Sequence, residues 1–201
     1  MPRTKQSRGL NKKERKQVRQ LVRRNQELKY HGTYTSGAVD TIGQMLHLSA
    51  VAQGDTDQRR DGDRLLPTSL LMRYAFTVGD TTNLVRCIVF RYKQDAQAGT
   101  LPSVDNILLS GTAPPPLRNY VHDLRDQFDV LYDKSHVLTT SGANQVFMVE
   151  KAIKMARTKP VNYTAGSVYG RNQIFALLVS DSGAVVHPSV QFSCRLNFTD
   201  S

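Results

Sequence analysis

The chain contains 201 residues with a formal net charge of +10, and 39% of its residues are hydrophobic. This length predicts one domain with an appendage, and no apolar run approaches the roughly 20 residues of a membrane-spanning helix. The first 29 residues contain no apolar block of about seven residues, so neither a signal peptide nor membrane insertion is expected. Two cysteines are too few for a disulfide scaffold, and no Cys-x-x-Cys pair indicates structural zinc.

Positive charge is concentrated at the start of the chain. Residues 1–29 contain eleven Lys or Arg and two Glu, a net charge of +9, whereas residues 30–201 have a net charge of +1. We therefore interpret residues 1–30 as a polycationic arm on a nearly neutral body. A solvated tail for solubility or nuclear import is the alternative interpretation. Charge of this density on a predicted helix favours phosphate binding by counterion release.

A helix is predicted within the arm, over residues 11–29. Asn11 and Glu14 have the spacing of a capping box. The apolar stripe is too thin to stabilise a helix alone, so it needs another copy of the arm or a polyanion as partner. The stripe consists of Val18, Leu21 and Val22. The candidate phosphate contacts are Lys12, Lys13, Arg15, Lys16, Arg19, Arg23, Arg24 and Lys29.

A linker over residues 31–43 is expected next, because this segment is rich in Gly, Thr and Ser. Residues 44–201 form the predicted β-rich body. Its clearest strand is 190–198, where apolar and polar residues alternate as in an antiparallel sheet with one buried face. The other predicted elements are strands at 45–51, 70–78, 83–92, 128–138, 145–156, 160–163 and 172–180 and a short helix at 104–109. About eight strands without βαβ spacing favour an antiparallel sandwich, of which the jelly roll is one form.

Patterns typical of catalysis are missing from the sequence. There is no phosphate-binding Gly-rich loop and no Gly-x-Ser-x-Gly, and the five histidines are scattered. We therefore expect no catalytic residue and no enzyme. Cys87 and Cys194 lie in strand patterns and are expected to act as small buried hydrophobes. Tyr30 and Tyr34 lie beside the arm, where they are candidates for stacking on nucleic-acid bases.

A charged loop separates the first two predicted strands of the body. Its acids alternate with arginines, and taking Asp55 as the first position of an EF-hand puts Arg59 at the fifth, so that calcium loop is excluded. Two interpretations stay open: a solvated loop with local ion pairs, or a calcium site that borrows ligands from neighbouring copies. The charged residues are Asp55, Asp57, Asp61, Asp63, Arg59, Arg60 and Arg64.

Several short motifs, in order along nearly the whole chain, resemble those of the satellite tobacco necrosis virus-like coat proteins, a type also found in many circular single-stranded DNA viruses. After the basic arm, the matching residues are Gln53-Gly54-Asp55, Gln58-Arg59, Gly62-Asp63, Phe90-Arg91, Gly99-Thr100-x-Pro102-x-Val104, Phe128-x-Val130-Leu131-x-Asp133, Val161-Asn162-Tyr163 and Thr199-Asp200.

The resemblance implies an eight-stranded jelly roll that assembles into a sixty-subunit icosahedral shell, with the arm pointing inward onto the genome. It also implies calcium at contacts between subunits, and Asp55 matches one family ligand. The family's second ligand, an acid near the start of the last strand, has no counterpart in His187-Pro188-Ser189.

We therefore interpret the chain as a viral capsid protein of the virion that packages single-stranded DNA or RNA and assembles in the host nucleus or cytoplasm. The alternative is a cellular nucleic-acid-binding β-barrel module with a basic tail. A trimeric extracellular jelly-roll ligand of the tumour-necrosis type is disfavoured by the missing signal. Self-association is expected through exposed loop leucines, namely Leu65, Leu66, Leu109 and Leu117. A second basic cluster in the body is formed by Lys151, Lys154, Arg157 and Lys159.

Overall fold

The computed structural model describes residues 11, 13–15, 17, 27–97, 101–141, 145–155 and 159–200. Within these residues the body is an antiparallel β-sandwich with one short α-helix, Val104–Ile107. Its strands are β1 (Lys29–Ala38), β2 (Gln44–His47), β3 (Arg64–Thr77), β4 (Thr82–Tyr92), β5 (Phe128–Thr139), β6 (Val146–Lys154), β7 (Val161–Tyr163), β8 (Gly170–Arg171), β9 (Gln173–Ser180) and β10 (Ser189–Asp200).

The strands form two sheets with the order of a jelly roll. In the first sheet β1, β10, β3 and β6 lie side by side, and the short β7 and β8 extend it beside the beginning of β3. In the second sheet the order is β2, β9, β4 and β5. Every pairing between these strands is antiparallel, which confirms the predicted antiparallel jelly roll. Eight of the ten strands form the jelly roll, and the short β7 and β8 are additional.

The main core lies between the two sheets, and the alternating strands supply it. In β10 the inward side chains Val190, Phe192, Leu196 and Phe198 are buried, while the residues between them face solvent or are half-buried. The same alternation in β3 buries Leu70, Met72, Tyr74 and Phe76. Cys87 and Cys194 are free, buried thiols, as predicted. Burial raises the pKa of Cys194 to about 12, so it remains a neutral apolar group.

A second apolar cluster covers the side of β4 and β9 that faces away from the main core. Both strands are therefore buried on both faces, as the continuous apolar pattern of β4 predicted. The cover comes from the long connection between β4 and β5, which includes the short helix. The buried members of the cluster are Ile88, Phe90, Ala96, Ile107, Leu108, Phe128, Phe175, Leu177 and Val179.

The linker prediction for residues 31–43 is wrong over its first eight residues. Residues 31–38 belong to β1, which pairs with β10 along its whole length, from Lys29 opposite Phe198 to Ala38 opposite Ser189. The error arose because β1 is an edge strand with few apolar side chains, so its backbone pairing with a distant strand determines its conformation. The shell domain consequently begins at residue 29, not at residue 44.

Candidate functional site

The beginning of the predicted arm helix is confirmed where the structure describes it, but its predicted end at residue 29 is wrong, because residues 27 and 28 are not helical and Lys29 begins β1. Residues 13–15 and 17 are helical. The Asn11 side-chain oxygen accepts the Glu14 N–H at 2.9 Å, and the Asn11 N–H donates to the Glu14 carboxylate at 2.8 Å, which is a capping box. Of the predicted phosphate contacts, Lys13 and Arg15 are exposed on this turn. The following lie outside the described residues: Lys12, Lys16, Arg19, Arg23, Arg24 and the stripe residues Val18, Leu21 and Val22.

The end of the arm is fixed to the body at Lys29, the first residue of β1. Its ammonium lies 2.5 Å from the Asp61 carboxylate and 2.9 Å from that of Asp200, and the side chain is 3% exposed. Burial by itself lowers the Lys29 pKa, but the hydrogen bonds and negative charges of the two carboxylates outweigh it, so the pKa lies above its ordinary value. We call this trio the Lys29 clasp.

The prediction that Lys29 contacts phosphate is therefore not supported by its position. Its charge is already matched by two carboxylates, and reaching a phosphate would break both ion pairs. No local pattern indicates these contacts, because Asp200 meets Lys29 only when β1 pairs with β10, and Asp61 comes from the charged loop, 32 residues away. The uncompensated charge of the arm thus lies in residues 1–28, which carry ten Lys or Arg and two Glu, a net charge of +8.

Arg60 organises the charged loop that contributes Asp61 to the clasp. Its fully buried guanidinium donates to the carbonyl oxygens of Val51 at 3.1 Å, Ser167 at 2.6 Å and Gly62. It also lies 3.0 Å from the Asp63 carboxylate and stacks 4.2 Å from the centre of the Tyr163 ring. A single side chain therefore joins this loop to the segment between β7 and β8.

The glycine of the Gln53-Gly54-Asp55 motif has a structural role in the same loop. Gly54 has φ +153°, and a Cβ at this position would lie 2.7 Å from Arg59 Cδ. A larger residue would strain the backbone at this φ and push the exposed Arg59 side chain aside. The ion pairs of Asp61 and Asp63 support the interpretation of the acidic cluster as a loop with local ion pairs.

Asp55, the predicted calcium ligand, is exposed on this loop. No group of three or more His, Cys, Asp or Glu side chains that could hold a metal occurs in the part of the chain that the structure describes. One chain by itself therefore does not fit calcium at Asp55. A site there requires oxygen ligands from a second copy, and the calcium prediction remains a prediction.

The solvent-facing side of the first sheet, which we call the outer face, continues from the arm. Alternate residues of β1, starting with Tyr30, point to this side, and Tyr34 is 68% exposed. The Arg195 guanidinium lies over the Tyr30 ring, 4.3 Å from its centre. Towards the opposite edge, Arg73 pairs with Glu150 at 3.0 Å. The face therefore combines aromatic rings with positive charge beside the point where the arm joins the body.

The second predicted basic cluster is only partly assembled. Lys151 and Lys154 are exposed on β6. Lys159 instead pairs with Asp129 at 2.7 Å, and Arg157 lies outside the described residues. Two lysines therefore remain as the candidate cationic patch of this cluster.

The long connection between β4 and β5 is held by a partly buried ion pair. Arg86 of β4 donates to both oxygens of Asp133, at 2.8 and 2.6 Å, and to the carbonyl oxygens of Pro116 and Arg118. Burial raises the pKa of Asp133, but the hydrogen bonds from Arg86 and Tyr120 outweigh this effect and lower it.

The connection between β4 and β5 carries exposed apolar side chains. Leu109 and Leu117 are exposed as predicted, but the prediction for Leu65 is wrong, because it is buried in the core next to β7. Leu66 is only half-buried.

No curated protein matches the chain. Among solved structures, a cyanophage Pam1 capsid is 6% identical over 88% of this chain and 86% of its own, with a TM-score of 0.33. An Israeli acute paralysis virus particle is 8% identical over 98% and 83%, with a TM-score of 0.34. A deformed wing virus structure is 10% identical over 82% and 74%, with a TM-score of 0.33.

A jelly-roll body with a basic extension ahead of its first strand defines the class of small viral coat proteins. The chain belongs to the satellite tobacco necrosis virus coat protein family, whose model matches residues 1–201. It is therefore a structural protein of the virion that forms part of a multimeric shell, and the two non-viral alternatives are set aside. Among the described residues no helix is long and apolar enough to cross a membrane.

Proposed function

We propose that this coat protein assembles into a small icosahedral shell of sixty copies and packages a single-stranded DNA or RNA genome through residues 1–28. Assembly takes place in the nucleus or cytoplasm of the host cell. The observation that carries the proposal is the separation of charge: residues 1–28 have a net charge of +8, whereas residues 29–201 have a net charge of +2. The Lys29 clasp strengthens this separation, because it neutralises the cation at the boundary.

The charge of the arm makes packaging favourable. Sixty arms at +8 would bring about 480 positive charges into one shell, and neutralisation by phosphate removes their repulsion while releasing counterions. This attraction needs no contact with base edges, so packaging should depend steeply on salt and little on sequence. The helix that begins at Asn11 should be weakly populated in the unassembled protein, because adjacent cations repel when no phosphate is near.

Removal of the arm's charge tests the proposal. We expect the five-Gln variant to keep a folded β body but to lose packaged nucleic acid, measured as a fall in the 260/280 nm absorbance ratio of purified particles. Its substitutions are Arg15→Gln, Lys16→Gln, Arg19→Gln, Arg23→Gln and Arg24→Gln. A comparison variant carries Lys151→Gln and Lys154→Gln on β6, the next candidate cations of the body. A normal load in the five-Gln variant would contradict the proposal, and a reduced load in the comparison variant would then place packaging on β6.

A further inference from the structure

The outer face has the features of a surface for single-stranded nucleic acid. Proteins that bind single strands without sequence preference combine aromatic side chains for base stacking with cations for the backbone. On β1, Tyr30 and Tyr34 point to the same side, about 13 Å apart at the rise of an extended strand. Gly32 between them would have nothing within 4 Å of an added Cβ, so no side chain separates the two rings.

The Arg195 side chain is fixed in place and its positive charge is exposed on the outer face. It lies opposite Gly32 in the strand pairing. Its Nε donates to the Asn197 side chain at 3.1 Å, and Asn197 donates in turn to the Ser69 hydroxyl at 2.9 Å. Its guanidinium stacks on Tyr30, and it makes no ion pair with any residue that the structure describes. Arg73 of the neighbouring strand β3 is instead neutralised by Glu150.

Two shallow depressions connect these groups across the sheet. One, of about 180 Å³, is lined by Tyr34, Ala75, Met148 and Ser193 among others. The other, of about 250 Å³, reaches from Arg195 to Lys151 and shares Arg73 and Ser193 with the first. Ala75 and Ser193 leave the surface beside Tyr34 open enough for a flat base, and the Arg73–Glu150 pair lies between the two depressions.

We propose that the outer face is a second contact surface for single-stranded nucleic acid, with Tyr34 stacking on a base and Arg195 contacting a phosphate. The inference rests on the proposed function, because the arm that leads into β1 would deliver the strand to this face. Two observations favour nucleic acid as the ligand of this face. The positive charge of Arg195 complements a phosphate, and β1 is continuous with the arm.

Cross-linking of intact particles tests the contact directly. Purified particles are irradiated with ultraviolet light, digested with nuclease and trypsin, and analysed by mass spectrometry of the peptides. We expect a nucleotide adduct on the peptide that contains Tyr34. Absence of this adduct, with adducts present on arm peptides, would overturn the inference and leave the proposed function intact. If a second protein copy covers this face instead, Tyr34 likewise carries no adduct.

Binding of the full-length chain to labelled single strands, oligo-dT and oligo-U of 20 nucleotides, separates stacking from charge. We expect Tyr34→Thr to weaken binding about tenfold, as loss of one stacked base does, with an unchanged salt dependence. Tyr34→Phe is the matched control and should bind like the parent. Arg195→Gln should lower the slope of log affinity against log salt by about 0.7, the value for one lost phosphate contact on a single strand.

The two proposals fail in different ways. Equal binding by the Tyr34→Thr and Tyr34→Phe variants, or equal loss in both, would overturn the stacking role. If the five-Gln arm variant binds normally while Tyr34→Thr does not, the arm proposal fails and the outer face stands. A preference for oligo-dT or oligo-U identifies which of the two nucleic acids the face accepts better.

Discussion

Replacement of Arg60 by Met should destabilise the body more than any other single change in the charged loop. Met preserves the length and apolar stem of the side chain but leaves the carbonyl oxygens of Val51, Gly62 and Ser167 without this donor. Each hydrogen bond from a charged donor contributes about 1.5 kcal/mol, so the three together contribute roughly 4 kcal/mol to the free energy of unfolding. At about 2–4 °C per kcal/mol for a domain of this size, Tm should fall by roughly 8–16 °C.

Thermal unfolding of the unassembled full-length chain, followed by circular dichroism, measures this effect. The matched control is Arg59→Met, which removes an equal charge from the neighbouring, exposed position. That variant should melt within about 2 °C of the parent, as exposed substitutions usually do. If the Arg60→Met and Arg59→Met variants melted at the same temperature, the buried hydrogen bonds of Arg60 would not be what fixes the loop.

Three further predictions concern the base of the arm, the metal and the arm itself. The hydrogen bond from Lys29 lowers the Asp61 pKa below 3.8. The Lys29 clasp therefore stabilises the fold above that pH and weakens as the pH falls through the lowered pKa. Asp61→Asn should reduce the dependence of Tm on pH below about 4. Asp55→Asn should make particles swell or dissociate more easily without changing the monomer fold, whereas particles of both proteins that resist chelators equally would contradict a calcium role. Serine at all three stripe positions should weaken assembly, which would be seen as fewer regular particles. The particles that form should keep a normal 260/280 nm absorbance ratio, because the charge of the arm is unchanged. A lower ratio in these particles would contradict the prediction. The stripe substitutions are Val18→Ser, Leu21→Ser and Val22→Ser.

Sequence periodicity predicted the strands that are held in place by burial of their own side chains. The alternation of β10 and the continuous apolar run of β4 both follow from burial, which is encoded locally. Strand β1 could not be found this way, because ten backbone pairings with β10 hold it in place rather than its side chains. The specific jelly-roll order came from the resemblance, since periodicity alone leaves several sandwich topologies open.

The candidate site was predictable in its charge but not in its contacts. Composition separates a basic arm from a nearly neutral body, yet it includes Lys29 among the phosphate contacts, whereas the structure pairs Lys29 with two carboxylates. It also gave no means to tell the buried Arg60 from the exposed Arg59 beside it, because the difference depends on carbonyl groups brought from distant segments. Arg195 was missed for the same reason, since only the pairing of β1 with β10 places it over Tyr30.

The mass and nucleic-acid content of particles formed by the full-length chain test the central claim most directly. Sixty copies of a 22.5 kDa chain give a protein shell of about 1,350 kDa. We predict closed particles of that protein mass by mass photometry after correction for nucleic acid, with a nuclease-protected single-stranded cargo that the five-Gln arm variant lacks. Monomers or small open oligomers at neutral pH, with calcium and nucleic acid present, would contradict the account.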